Sequence, residues 1–280
     1  MKRAIYTIMI GNDPTYRYAR HAFADYATRV GAELIVRTKL QLSRPEGLIY
    51  NMARAAKIQK LFMKELLAEY DRVLYLDADI LVAPHAPDIF ETYADPEVVY
   101  MFDEGGYADR TVEIDAVSRL LGLEGDWPRH DGRPVYYNSG VILCSRGCPL
   151  FDLFQLEEVG MIDESLRLVD QTYINYLVNR HGLEAQSLDP RFNRMEILGD
   201  DERRLEAYFI HYAGSGYARR KKFRYRTFID DYRSLYGGSG SVVDAMRLRL
   251  DVLRHELWRF KNETLRDSAR RRAGRELSGT

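Results

Sequence analysis

The run Val73-Leu74-Tyr75-Leu76-Asp77-Ala78-Asp79-Ile80-Leu81-Val82 constrains what this chain can fold into more than any other stretch. Short, aliphatic and β-prone, it reads as a buried strand. Unpaired carboxylates inside such a strand are costly, so Asp77 and Asp79 are expected at its carboxyl end, where α/β sheets gather their ligands. Carboxylates one residue apart can share a divalent cation, directly or through its water, and a cation held there offers a diphosphate a place to bind. On the pair alone a second reading stands beside this one: the aspartates end a strand and shape a turn or helix cap.

The chain has 280 residues, enough for one large α/β domain or two small ones and for a core that needs no disulfides. Apolar residues make up 46% and charged residues 30%, the make-up of a globular protein. A formal net charge of −1 gives no overall attraction to nucleic acid or to anionic membranes, although a basic excess gathers from Arg219 onward. The spacing of Cys144 and Cys148 fits neither a redox pair nor a four-ligand zinc site. They read as small core residues, compatible with a reducing cytoplasm. The apolar run after Met1-Lys2-Arg3 is too short for a secretory signal, and no stretch is long enough to cross a bilayer.

The opening reads as a βαβ unit: a strand from Ala4 to Ile10, a break at Gly11-Asn12-Asp13-Pro14, a helix from Tyr16 to Val30 and a strand from Glu33 to Thr38. A parallel sheet follows from that order. The turn has no Gly-x-Gly-x-x-Gly and no Walker lysine, so neither a dinucleotide fingerprint nor a P-loop is supported. A helix is predicted over Met52 to Tyr70. It carries Arg54 and Lys57 on one face, either a solvated basic edge or two cations aimed at a phosphate or carboxylate.

Farther on, a strand from Glu97 ends at Asp103-Glu104-Gly105-Gly106, a substrate loop or a plain turn. Helices are expected over Thr111 to Leu121 and Leu150 to Met161. Asn138-Ser139-Gly140 stands ahead of an aliphatic strand, with amide and hydroxyl groups where the backbone can be approached closely. Asp170-Gln171 opens a helix; an N-cap accounts for Asp170 and leaves Gln171 unexplained. His211 closes an apolar run and precedes Gly214, and imidazole suits a cation already held by carboxylates. The cations Arg219-Arg220-Lys221-Lys222 follow, either holding leaving-group charge or forming a solvated face.

A heptad-like stripe runs through Val243, Met246, Leu250, Leu253, Leu257 and Phe260. The division expected is a catalytic domain over residues 1–236 and a basic amphipathic helix over 240–275. Packing on the domain or pairing with a second copy is favoured over contact with anionic lipid, because Asp251, Glu256 and Glu263 are interleaved.

Taken in order, these motifs resemble the glycogenin and lipopolysaccharide-galactosyltransferase family of retaining glycosyltransferases, over about residues 4 to 225. The helix with Arg54 and Lys57 before Leu76-Asp77-Ala78-Asp79 is similar to the family's donor-phosphate element and Asp-x-Asp. Asn138-Ser139-Gly140 resembles its sugar site, Asp170-Gln171 its Asp-Gln pair, and His211 with Gly214 its His-x-x-Gly. The resemblance implies a GT-A fold, a mixed α/β sheet flanked by helices, here with a C-terminal helical extension.

The resemblance further implies that Asp77, Asp79 and His211 hold manganese or magnesium. Thr7, Asn12 and Tyr16 would hold the base and ribose of a nucleotide-sugar donor. Asp103, Asn138, Ser139, Asp170 and Gln171 would face the donor sugar, with Asp170 and Gln171 nearest the chemistry. Where the family has Lys-Pro-Trp after its His-x-x-Gly, this chain has Ser215-Gly216-Tyr217-Ala218, so Arg219, Arg220 or Lys221 is left to contact the diphosphate.

The reaction so implied is metal-dependent transfer from a UDP-linked sugar to a glycan, lipid-linked or protein hydroxyl, with retention, in the cytoplasm or at the inner face of a membrane. Two rivals are a nucleotide-sugar-binding domain that has lost turnover and a haloacid-dehalogenase-type phosphatase with Asp77 as nucleophile. The apolar Ile80-Leu81-Val82 after the pair disfavours the phosphatase.

Overall fold

A computed structural model describes residues 1–41, 56–123, 126–163, 168–218, 220 and 223–237, with short pieces between 246 and 257. The chain divides into two compact units, Met1–Asp231 and Tyr232–Thr280. The first is built on a six-stranded sheet. Its strands are β1 (Arg3–Ile8), β2 (Ala32–Arg37), β3 (Arg72–Leu76), β5 (Val99–Asp103), β8 (Tyr137–Ser145) and β9 (Ala185–Ser187), in the order β2-β1-β3-β8-β5-β9. Every pairing is parallel except those of β8, which runs antiparallel to both β3 and β5. A two-stranded sheet joins β4 (Ile80–Val82) to β10 (Phe209–His211), and β6 (Arg129–His130) and β7 (Arg133–Pro134) form a small hairpin.

The opening unit follows its hydrophobic periods. β1 is buried over five of its six residues. α1 (Tyr16–Arg29) buries Tyr18, Ala19, Ala22, Phe23, Tyr26 and Ala27, one helical face. The run Val73–Val82 is two strands, not one. β3 stops at Leu76, Asp77 to Asp79 make a turn, and β4 leaves for the other sheet. The backbone bond from Ile80 N to Asp77 O closes that turn. Both carboxylates thus sit past the carboxyl end of a central strand, where desolvation is partial.

Three other expectations are corrected. The helix placed over Met52–Tyr70 is interrupted in its described part: a 3-10 turn at Gln59–Phe62 precedes α2 (Met63–Glu69), and residues 42–55, including Arg54, lie outside the described residues. Asn138-Ser139-Gly140 lies within β8, not ahead of it. The helix expected over Leu150–Met161 is a 3-10 turn at Pro149–Phe151 followed by α5 (Leu156–Asp163). Short α3 (Ile89–Thr92) follows β4, and α4 (Thr111–Leu121) forms where the periodicity placed it. Cys144 is buried within β8, Cys148 is half-buried after it, and both are free thiols.

Helix α6 (Val169–Arg180) is buried from Val169 through Val178, apolar and aromatic side chains alternating with the polar Asp170, Gln171, Thr172 and Asn175. It is pinned to β8 by polar side chains. Asn175 accepts from Tyr137 N at 2.6 Å and donates to Tyr137 O at 2.7 Å, and the hydroxyls of Tyr136 and Thr172 meet at 2.7 Å. These bonds fix the first turn of α6 against Asn138 and Ser139. Helix α7 (Arg224–Tyr236) follows β10 and straddles the boundary of the two units. Of the C-terminal stripe, Met246, Leu250, Leu253 and Leu257 are helical and exposed, and Val243 and Phe260 lie outside the described residues. Among the described residues no helix is long and apolar enough to cross a membrane.

Candidate metal and donor site

Sheet register assembles the site. β10 pairs with β4 so that His211 stands opposite Ile80, next to Asp79. β8 pairs with β3 so that Val141 stands opposite Leu76, and Asp77 N then donates to Gly140 O at 2.8 Å. Ligand atoms of Asp77, Asp79 and His211 all lie within 4.8 Å of one another. His211 Nε2 is 3.4 Å from Asp79 Oδ1 and 3.9 Å from Asp77 Oδ2. His211 is buried, while the two acids are partly open to solvent.

The imidazole is held from behind. Its Nδ1 lies 2.8 Å from Asn193 Oδ1; a carbonyl oxygen only accepts, so Nδ1 carries the proton and Nε2 presents its lone pair to the acids. Gly140 makes room for the ring, since a Cβ there would stand 2.3 Å from His211 Cε1. Two carboxylates and an oriented imidazole are a donor set that fits a divalent cation such as manganese or magnesium. Burial, the largest influence on Asp79, pushes its carboxyl up; hydrogen bonding and charge from His211, with charge from Arg224, reverse it and hold the group well below the usual carboxylate range.

A buried cation ties this cluster to a second acid. Lys60 is 3% exposed, and its Nζ lies 2.7 Å from Asp170 Oδ2, 3.3 Å from Asp77 Oδ1 and 3.0 Å from both Ser139 O and Oγ. Its burial lowers the ammonium pKa, and the charges of Asp170 and Asp77 more than compensate and raise it. Asp170 is not the N-cap of its helix: Leu168 takes that position, and the carboxylate in the first turn faces Lys60 instead. For Asp170, too, burial is the largest influence and raises the pKa; the charges of Lys60 and Lys57 outweigh it, to about 2. Lys57 Nζ reaches Asp170 Oδ1 at 3.8 Å from a largely exposed position.

Behind the acids runs a chain of buried amides. Asn193 Nδ2 donates to Asn138 Oδ1 at 3.0 Å. Asn138 Nδ2 donates to Glu104 Oε2 at 2.8 Å and to Gln171 Oε1 at 3.2 Å. Gln171 Nε2 donates to Glu104 Oε1 at 2.8 Å, and Arg110 Nη2 closes on the same oxygen at 2.6 Å. Glu104, 1% exposed, is met there by four donor groups: Asn138 Nδ2, Gln171 Nε2, and Nε and Nη2 of Arg110.

The remaining expected residues are dispersed around this centre. Asp103 spends Oδ1 on the backbone N–H groups of Gly105 and Tyr136, at 2.9 Å each, so it also builds the turn. Thr7 is fully buried, and its hydroxyl has no hydrogen-bond partner. Asn12 is exposed in the loop after β1. The Tyr16 phenol donates to Ile10 O at 3.2 Å and is pushed up to about 12 by burial first, then by the charges of Asp13, Asp79 and Asp77. Gly214 takes φ +64 in the turn after β10, a conformation that favours glycine. Lys221 lies outside the described residues.

Residues 55–146, from the helix before β3 through the end of β8, match the sequence family described as Glycosyl transferase family 8. That match spans about a third of the chain, and the fold is the GT-A fold. Solved structures that share this fold include two glycosyltransferases. A glycosyltransferase involved in the glycosylation of the major capsid of PBCV-1 is 16% identical, with a TM-score of 0.53 over 81% of this chain and 98% of its own. The galactosyltransferase LgtC, solved with donor and acceptor sugar analogs, is 17% identical, with a TM-score of 0.51 over 83% of this chain and 96% of its own. No curated protein sequence is significantly similar.

Four side chains of the glycosyltransferase site escaped the sequence reading: Lys60, Glu104, Asn193 and Arg224. Lys60 had a signal, since it lies one helical turn beyond Lys57. Glu104 stood in the acid-Gly-Gly turn that drew attention to Asp103. Asn193 and Arg224 carry no local signal, because only the crossing of distant segments gives them their partners.

Proposed function

We propose that this glycosyltransferase moves a sugar from a UDP-linked donor to an acceptor hydroxyl, with retention, in a reaction that depends on manganese or magnesium. One observation carries the reading: the Asp77–Asp79–His211 cluster is joined through a single buried lysine to Asp170 and its neighbour Gln171. A divalent cation bound by the three ligands supplies positive charge for the departing diphosphate. Asp77, Asp79 and His211 fix where that charge sits. Asp170, Gln171 and Asn138, all buried, orient the donor sugar, with Asp170 offering negative charge to an oxocarbenium-like carbon. Lys60 keeps Asp170 ionised and aligned. Asn12 and Tyr16, past the end of β1, receive the nucleoside above the buried Thr7, and Asp103 and Ser139 line the sugar side. The acceptor is a glycan, lipid-linked or protein hydroxyl.

The test is a thermal-shift panel of nucleotide sugars, with and without manganese, followed by UDP release in the presence of acceptors. Stabilisation by UDP-sugars that requires manganese, and vanishes in Asp79→Ala, is the expected result. Metal-independent stabilisation, or none by any nucleotide sugar, would refute the reading. Manganese-dependent binding without turnover across many acceptors would instead support a binding domain of the same fold, the alternative raised by the Ser215–Ala218 segment.

A further inference from the structure

Arg224 opens α7 and sends its guanidinium back across the turn to the acid cluster. Nη1 lies 3.1 Å from Asp79 Oδ2 and 3.3 Å from the Tyr212 carbonyl oxygen. The Asp79 carboxylate is therefore divided, with Oδ1 toward His211 Nε2 and Oδ2 toward Arg224. Arg224 is a partly open side chain, 31% exposed, beside an acid that is 25% exposed, so the pair stands at the rim of the site and not in the core. It faces the metal-ligand side, opposite to Lys60, which neutralises Asp77 and Asp170 from within.

A divalent ion on Asp77, Asp79 and His211 draws on the same carboxylate that Arg224 already neutralises. Two cations on one acid repel each other, so without an anion each weakens the other. A diphosphate changes the sign. Oxygens placed between ion and guanidinium would attract both, and the fork geometry of arginine suits them through charge-assisted hydrogen bonds.

We propose that Arg224 is the resident counter-ion of Asp79 and is transferred to the donor's diphosphate when ion and nucleotide bind, so that it opposes the ion alone and cooperates with the ion–nucleotide pair. This rests on the metal-dependent reading given above and assigns to one residue the contact that the segment after Gly214 leaves open. No bond is made or broken by Arg224; it exchanges one anionic partner for another.

The experiment titrates manganese by electron paramagnetic resonance of the free ion, and UDP by calorimetry at saturating manganese. It compares wild type, Arg224→Gln and Arg224→Lys. Without nucleotide, Arg224→Gln is expected to bind manganese roughly 3- to 10-fold more tightly, the scale of one like charge removed from a solvated site. With manganese saturating, the same variant is expected to bind UDP roughly 10- to 100-fold more weakly, the loss of hydrogen bonds between charged groups. Arg224→Lys keeps the charge and loses the fork, so it retains the wild-type manganese affinity and still loses UDP. Opposite signs from one substitution are something a merely loosened fold does not produce. If Arg224→Gln moves neither constant, or moves both in one direction, while wild type binds manganese and UDP, the role of Arg224 is overturned and the metal site stands. If wild type shows no manganese-dependent UDP binding, both are overturned.

Discussion

His211 Nδ1 and Asn193 Oδ1 lie 2.8 Å apart, although 18 residues separate them in the chain. The bond sets the imidazole tautomer, and the other end of the same amide donates to Asn138. Metal-ligand geometry and sugar-site geometry thus share one buried amide.

Asn193→Leu removes that bond at nearly constant volume. The ring loses its orienting partner, and manganese affinity is expected to fall by roughly 10- to 100-fold, the usual scale for a group that holds a ligating histidine. Manganese titration followed by circular dichroism checks both affinity and fold. An unchanged affinity would show that β10 alone orients the imidazole.

Lys60→Met removes a buried cation and leaves Asp170 facing Asp77 with no charge between them. Breaking one partner of a buried pair costs about 3–5 kcal/mol. Urea unfolding is the measure, and a second substitution, Asp170→Asn, is expected to recover part of the loss without restoring turnover. Full stability in Lys60→Met would mean the acids are solvated in solution.

The pH dependence of stability follows from Asp170. Its native pKa, about 2, lies below the ordinary value of 3.8. A carboxyl depressed on folding adds stability above its unfolded pKa, and that stability is lost as pH falls through the native pKa. Wild type should therefore lose about 2 kcal/mol more than Asp170→Asn between roughly pH 4 and pH 2. Parallel unfolding curves for the two proteins across that window would contradict the Lys60–Asp170 pairing.

Glu104→Gln replaces an acceptor of four hydrogen bonds by a group that also donates. Either Asn138 or Gln171 must then rotate its amide, because donor would face donor. Turnover is expected to fall about 100-fold, the scale of one misaligned polar group at a reacting centre, and the melting temperature falls as well because Arg110 loses its buried anionic partner. Wild-type turnover would place the amide relay outside the chemistry.

The legible part of this protein is the part whose signal is local. A β-branched run interrupted by two acids must end where water or a cation can reach them, and Asp77 and Asp79 do. Helical period alone places α1 and α4, and the loop glycine at Gly214 takes the left-handed φ its position demanded. Asp103 was legible as a strand-end acid, but its work on two backbone amides was not.

Sequence by itself determined the βαβ opening, the acids at the strand end and the residue types of the site, because hydrophobic period and desolvation act over a few neighbours. Tertiary structure alone decided that Lys60 lies between Asp77 and Asp170, that Asp170 pairs instead of capping, and that Asn193, Glu104 and Arg224 belong to the site. The physical reason is that a buried charge or amide is satisfied by whatever the sheet register brings opposite it, and register is a property of strands that lie far apart in the chain.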